Sequence, residues 1–380
     1  VPGNNKLNGQ QVRAKRGTVD SSFLVLVLII LTCGLVMMFS ASYAYAYYYY
    51  HNSFYFITRQ LMFAVLGVAA MIVISFIDYH VLHRFAMPLM AASCLLLMAV
   101  LFTPRVKGVH RWINLGFTTF QPSEIAKFAL VVLFAHMISL NYSRMKEFKY
   151  GILPFVGVLG VLAGLLMLEP HLSATVLICL LGAIMMFVGG SNLKWFGIAA
   201  ASGVGVLAVL ASNQKVIAYA TSRFAYWLDP LSDAQGYGYQ TLQSLYAIAS
   251  GGLLGLGIGQ SRQKYLYLPE PQNDFVFAIT CEELGFVGAV FIIILFALLV
   301  WRGFVIAAKS RDRFGSMLAV GLTAQVGLQV ILNIAVVTNT IPNTGISMPF
   351  FSYGGTALCM LLAQMGVVLS VSRQSSLQKE

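Results

Sequence analysis

Four kinds of residue in this chain could do chemistry together: a carboxylate at the head of a helix, a carboxylate–ammonium pair, a nearby guanidinium, and acids deeper in apolar surroundings. The first is Asp274, which follows Leu268-Pro269-Glu270-Pro271-Gln272-Asn273 and precedes the run FVFAITCEELGFVG. Two prolines fix its approach. At a helix start an aspartate serves either as an N-cap or as a general base, held on a rigid element at the mouth of an aqueous cavity. The pair is Glu124 and Lys127, in Gln121-Pro122-Ser123-Glu124-Ile125-Ala126-Lys127. Three residues apart on a helix that proline opens, they share a face and can pair. Such a pair is either an interfacial salt bridge or part of a site, and Arg111-Trp112 just upstream adds a cation to the same neighbourhood. Glu282 and Glu283 lie two to three turns beyond Asp274. At least one must face protein, where it needs a partner or a proton.

Other matches carry no chemistry. The glycine-rich stretch 251–259 has no preceding strand, as a nucleotide loop requires. Ser191-Asn192-Leu193-Lys194 has the S-x-x-K form, but its usual companion motifs are absent. No histidine pair has zinc spacing, so no metal ligands are assigned. The five cysteines, an odd number, all fall in apolar runs and read as small packing residues.

The elements that must position these groups follow from composition. Hydrophobic residues make up 58% of the 380 and charged residues 10%, too few charges to cover a water-facing surface. The solvent is lipid, and the fold class is all-α. Ten stretches of spanning length run at about 22–40, 54–77, 81–102, 122–140, 151–168, 172–188, 193–210, 275–301, 314–337 and 348–371. None alternates as a barrel strand would. The first is too long for a signal-peptide core and reads as an uncleaved anchor.

The net charge of +11 could suggest nucleic acid, but its distribution points to membrane topology instead. Lys6, Arg13, Lys15 and Arg16 precede the first span, Arg144, Lys146 and Lys149 follow the fourth, and Arg302, Lys309, Arg311 and Arg313 follow the eighth. The positive-inside rule puts these, and both termini, in the cytoplasm. Arg105, Lys107 and Arg111 then fall outside, where they meet either an anionic partner or lipid headgroups. The expected organisation is a basic tail (1–21), one membrane domain (22–372) with a structured external loop at 211–273, and a short tail (373–380). Interfacial or re-entrant helices are expected near 239–249, and the tyrosines of 41–53 in a first external loop.

Five motifs in order resemble the SEDS family (shape, elongation, division and sporulation): Arg111-Trp112-Ile-Asn-Leu-Gly, Phe120-Gln-Pro-Ser-Glu-Ile-Ala-Lys127, Leu268-Pro-Glu-Pro-Gln-Asn-Asp-Phe-Val-Phe, Glu282-Glu-Leu-Gly and Pro349-Phe-Phe-Ser-Tyr-Gly-Gly355. The resemblance covers essentially the whole chain and leans toward the division and sporulation branch, FtsW and SpoVE. It implies a peptidoglycan glycosyltransferase of the bacterial cytoplasmic membrane that polymerises lipid II at an extracytoplasmic site. Its implied partners are a class B penicillin-binding protein and other divisome or sporulation membrane proteins. Asp274 is then the expected catalytic carboxylate. Arg111, Lys127, Arg262 and Lys264 are candidate diphosphate clamps, Glu124 orients Lys127, and Gln121 and Ser352 complete the substrate-binding set. A divalent cation, Mg2+ or Mn2+, could share the diphosphate charge. The chain departs from the family at Glu169-Pro170-His171, where many relatives read Gln-Pro-Asp, so a role for the usual aspartate does not carry over. A lipid II flippase would depend more on Glu282 or Glu283 than on Asp274, and a scaffold for the penicillin-binding protein would tolerate Asp274→Ala.

Overall fold

The computed structural model describes residues 17–104, 110–114, 116, 118–197, 226–236 and 238–375. Among them the chain is a helical bundle: α1 (Ser21–Tyr50), α2 (Tyr55–Phe76), α3 (His80–Val100), α4 (Pro122–Asn141), α5 (Leu153–Leu168), α6 (Leu172–Val188), α7 (Tyr239–Gly251), α8 (Val276–Ala308), α9 (Arg313–Val337) and α10 (Gly355–Gln374). A two-residue hairpin, β1 (Ile113–Asn114) and β2 (Thr119–Phe120), pairs Ile113 with Phe120 just ahead of α4. Eight of the described helices, counting α5 with the turn before it, are long and apolar enough to cross a bilayer, and α6 is a shorter apolar helix. The chain is a polytopic membrane protein. The expected span at 193–210 lies mostly outside the described residues.

Burial sorts the helices into layers. α4, α9 and α10 are mostly buried, whereas α2, α3 and α5 expose apolar side chains such as Val65, Val73, Met87 and Leu95. Lipid is as apolar as these side chains, so their exposure costs nothing in a bilayer. The N-cap of α1, Asp20, accepts from the Phe23 amide at 2.9 Å and pairs with Arg302 near the far end of α8 at 2.8 Å, tying two helix ends together.

Three boundaries differ from the sequence reading. The tyrosine run is no loop: α1 continues through it for 30 residues to a left-handed His51, so the rings ride on its last turns. At about 45 Å it is longer than the hydrocarbon core. The last helix starts at Gly355, not near 348, because Phe350 takes a left-handed φ of 65° and residues 348–354 fold into turns. The span at 275–301 runs on to Ala308 but breaks at Gly285, where φ is 66° and a Cβ would stand 2.2 Å from the Gly255 amide nitrogen. There the Glu282 and Glu283 carbonyls accept from the Leu256 and Gly257 amides, while Phe286 and Val287 donate to the carbonyls of Gly252 and Leu253. A break at membrane depth is tolerable only where other protein meets the freed backbone groups.

Candidate active site

Asp274 stands two residues ahead of α8, on a segment anchored by fully buried Leu268 and Phe275. The N-cap is Phe275 and that cap carries no side-chain hydrogen bond, so the helix does not use Asp274 as its cap. The backbone at Asp274 is held from α9: buried Asn333 donates from Nδ2 to the Asp274 carbonyl at 2.7 Å and to the Ile346 carbonyl at 2.6 Å. The carboxylate lies against Gly345, where a Cβ would come 3.2 Å from Asp274 Oδ2 and where φ is +68°. Glycine there meets the backbone requirement and keeps the carboxylate uncrowded.

Arg111 leads into the β1–β2 hairpin and donates from Nη2 to the Pro170 carbonyl in the turn between α5 and α6. Burial presses its pKa down, and the carboxyls of Glu169 and Asp274 push the other way, so both acids lie within electrostatic reach of one guanidinium. Beside it, burial holds the His171 imidazole down at about 3, with Arg111 and Lys127 adding to the effect. His171 is therefore neutral at physiological pH, between two cations. Lys127 is only 3% exposed and pairs with Glu124 at 2.8 Å. Glu124 opens onto a small cleft lined also by Gln329, Ser347, Ser352 and Tyr353. Across from it, Ser173 at the start of α6 donates to the Thr344 carbonyl, next to Gly345.

Several atoms of this neighbourhood are buried without a hydrogen-bond partner: Arg111 Nε, both carboxyl oxygens of Glu169, His171 Nδ1 and Thr344 Oγ1. An unmade hydrogen bond in such a place costs about 1–3 kcal/mol. Such a cluster leaves donors and acceptors open to water or a polar guest.

The remaining expected site residues are placed elsewhere or do structural work. Lys264 is 2% exposed, and its ammonium meets Glu283 at 2.9 Å and Ser40 at 3.2 Å. Arg262 is exposed, and its amide donates to Glu282 at 3.0 Å. Glu282 and Glu283 are both buried and both partnered, Glu282 by Ser261, Ser250 and backbone amides. The Ser352 hydroxyl accepts from the Met348 amide at 2.8 Å and so shapes the turn that lines the cleft. Gln121 is the N-cap residue of α4, its carbonyl accepting from the Glu124 amide.

The sequence reading missed Asn333, Gln60 and His171 as working residues. Gln60 of α2, fully buried, donates to the Ser352 carbonyl and accepts from the Gly354 amide, clamping the turn before α10. An amide in an apolar run is itself a signal, and Asn333 and Gln60 both carry it. Among the described residues no three His, Cys, Asp or Glu side chains are grouped to hold a metal ion.

The fold and this cluster define a polytopic membrane protein that gathers buried charges near the ends of several spans. The sequence profile of the FtsW/RodA/SpoVE family, described as cell cycle proteins, matches residues 20–377. Stage V sporulation protein E of Bacillus subtilis is 40% identical over 95% of this chain and 99% of its own. A probable peptidoglycan glycosyltransferase FtsW of Geobacter is 37% identical over 92% and 95%. Among solved structures, one titled as the structural coordination of polymerization and crosslinking by a peptidoglycan synthase complex superposes with a TM-score of 0.75 at 28% identity, covering 93% of this chain and 98% of that one. The rod shape determining protein RodA of Thermus thermophilus gives 0.69 at 27% identity, with 94% and 98% covered. The chain belongs to the FtsW/RodA/SpoVE family, the SEDS proteins.

Proposed function

We propose that this chain is a peptidoglycan glycosyltransferase that polymerises lipid II on the outer side of the bacterial cytoplasmic membrane, with both termini inside. In the reaction the acceptor sugar's 4-hydroxyl attacks the donor's anomeric carbon. The new glycosidic bond forms as the bond to the polyprenyl diphosphate breaks, and the hydroxyl proton passes to Asp274 as general base. Arg111 and Lys127 face the charge that develops on the departing diphosphate, where preorganised cations lower the barrier most. Glu124 holds Lys127 in place. A divalent cation, if bound, would share the diphosphate charge with Arg111 and Lys127.

The observation that carries this reading is Asp274 itself, unused as a helix cap and sharing Arg111 with a second acid. The names of the relatives support it, since several are called probable peptidoglycan glycosyltransferases. The resemblance to a peptidoglycan synthase complex supports a class B penicillin-binding protein as the crosslinking partner, together with other division or sporulation membrane proteins. A flippase would need deep charges free to change partners, and Glu282 and Glu283 are fully engaged.

The test is a gel of glycan chains made from lipid II in detergent by the purified protein with its penicillin-binding protein. Wild type should give polymer and Asp274→Ala none. Equal polymer from both would remove Asp274 as the base, and none from either folded complex would turn the reading toward transport or scaffolding.

A further inference from the structure

Glu169 is the residue the mechanism leaves unexplained. It is 0% exposed, both carboxyl oxygens lack any hydrogen-bond partner, and it sits in the turn between α5 and α6. Arg111, the cation in reach, directs Nη2 to the Pro170 carbonyl instead of closing a fork onto the acid, and its Nε is left unpaired. Satisfied ion pairs do not look like this. A buried carboxylate beside a guanidinium ordinarily takes two parallel N–H bonds. Here an acid and a cation lie side by side with open valences, as groups do when they share a third molecule.

We propose that Glu169 and Arg111 together form a subsite for a diphosphate, in which Glu169 acts as a protonated acid that donates its O–H to a phosphate oxygen while Arg111 Nε donates to another. The proposal rests on the glycosyltransferase reading for the identity of the diphosphate as a leaving group, but not for its binding. Arg111 is the charge that acts on Glu169 itself, while Lys127 acts on the neutral His171 beside it and Asp274 acts on Arg111. Lys127 is already paired with Glu124, so the donor left open to a guest is Arg111 Nε. An ionised Glu169 would repel the same phosphate that Arg111 attracts, whereas its protonated form adds a donor. Burial drives it toward that form: it pushes the Glu169 carboxyl up to about 8, against the opposing pull of Arg111. A bound diphosphate would raise it further, since a second anion disfavours ionisation. Glu169 is thus a specificity group for protonated, anion-accepting recognition, distinct from the base at Asp274.

The experiment measures binding of inorganic pyrophosphate to the purified full chain in detergent by calorimetry, at about pH 7 and about pH 9.5, either side of the raised acid. Wild type is compared with Glu169→Gln, which keeps a neutral donor at every pH, and with Glu169→Ala, which has none. Taking the ratio of variant to wild type cancels the titration of pyrophosphate itself. Wild type and Glu169→Gln should bind alike at the lower pH, and wild type should weaken about tenfold more than Glu169→Gln at the higher. Glu169→Ala should bind more weakly at the lower pH and lack that extra pH dependence. Parallel pH dependence in wild type and Glu169→Gln overturns the proposal, as does absent wild-type binding at the lower pH. So does loss of binding in Glu169→Gln with an unchanged unfolding temperature, which would mean that the ionised carboxylate is what the ligand needs. Polymer is assayed on the same preparations after the penicillin-binding protein and lipid II are added. Pyrophosphate binding as expected without polymer would retain the subsite and sink the glycosyltransferase reading, and polymer with parallel pH curves would do the reverse.

Discussion

Two clusters of buried charge sit at opposite ends of one short piece of helix, and they are built on different terms. Beyond the first two turns of α8, Ser40, Ser261, Lys264, Glu282 and Glu283 leave none of their buried polar atoms unpaired: Glu283 alone receives Ser40, Lys264 and the Ser261 amide. Ahead of α8, around Asp274, the atoms of Arg111, Glu169, His171 and Thr344 are just as enclosed, yet several have no partner. The first arrangement pairs all its charged groups, with Gln263 Oε1 alone left open beside them, and fastens the loop at 252–268 to α1 and α8. The second leaves charged and neutral groups alike open to water or a guest. Burial and charge alone do not distinguish a fastening from a working site. The difference lies in whether the protein has used up its own hydrogen bonds.

That contrast can be broken at either end. The largest effect is expected from Lys264→Met. It strands Glu283 at 0% exposure without its cation, and breaking such a pair costs about 3–5 kcal/mol. A thermal unfolding curve in detergent should show the loss, and an unchanged curve would mean that the network is not a fastening at all. Asn333→Ala should act on both stability and rate. Two backbone carbonyls lose their donor, at about 1–3 kcal/mol, and the Asp274 backbone loses its support. The polymerisation kcat should fall about tenfold with KM little changed, because misplacing a reacting group slows chemistry more than binding. A change in KM alone would show that Asn333 serves the substrate and not Asp274.

The last effect concerns pH. Glu169 is raised from 4.5 to about 8 by burial, so the folded state holds a proton there that the unfolded chain releases. Stability therefore falls as pH rises across that window and levels off above it. Comparing unfolding temperatures of wild type and Glu169→Gln across the window should show the wild-type slope flattened in the variant. Identical slopes would mean that Glu169 finds a partner in solution.

Much of this could be read from residue types, and the limits are physical. Asp274, Arg111 and the Glu124–Lys127 pair were visible because charges in an apolar chain are rare and fall at span ends. The partner of Lys264 was not legible, because charge and side of the membrane do not reveal one: Glu283 is 19 residues away in sequence and 2.9 Å away in space. Asn333 and Gln60 act on backbone carbonyls and amides that only the fold brings to them, Gln60 across 292 residues to Ser352. Glu282 and Glu283 mark this part of the span, but the break at Gly285 itself leaves no trace in the sequence, since glycine is common in membrane helices. The tyrosine run was assigned to a loop by composition, but a helix end that clears the hydrocarbon suits aromatic rings equally well.

The break at Gly285 makes α8 a spliced beam. A continuous helix draws its bending stiffness from its own ladder of hydrogen bonds. At the splice that ladder runs instead through a separate strand of chain, 252–257, which laps the joint on both sides. Residues 276–284 are thus a stub of about 14 Å with Asp274 just ahead of its free end. Its angle is set by the lapping strand more than by the long span behind it. A load on the chain at 252–257 would act on the stub as torque and so reach the carboxylate ahead of it.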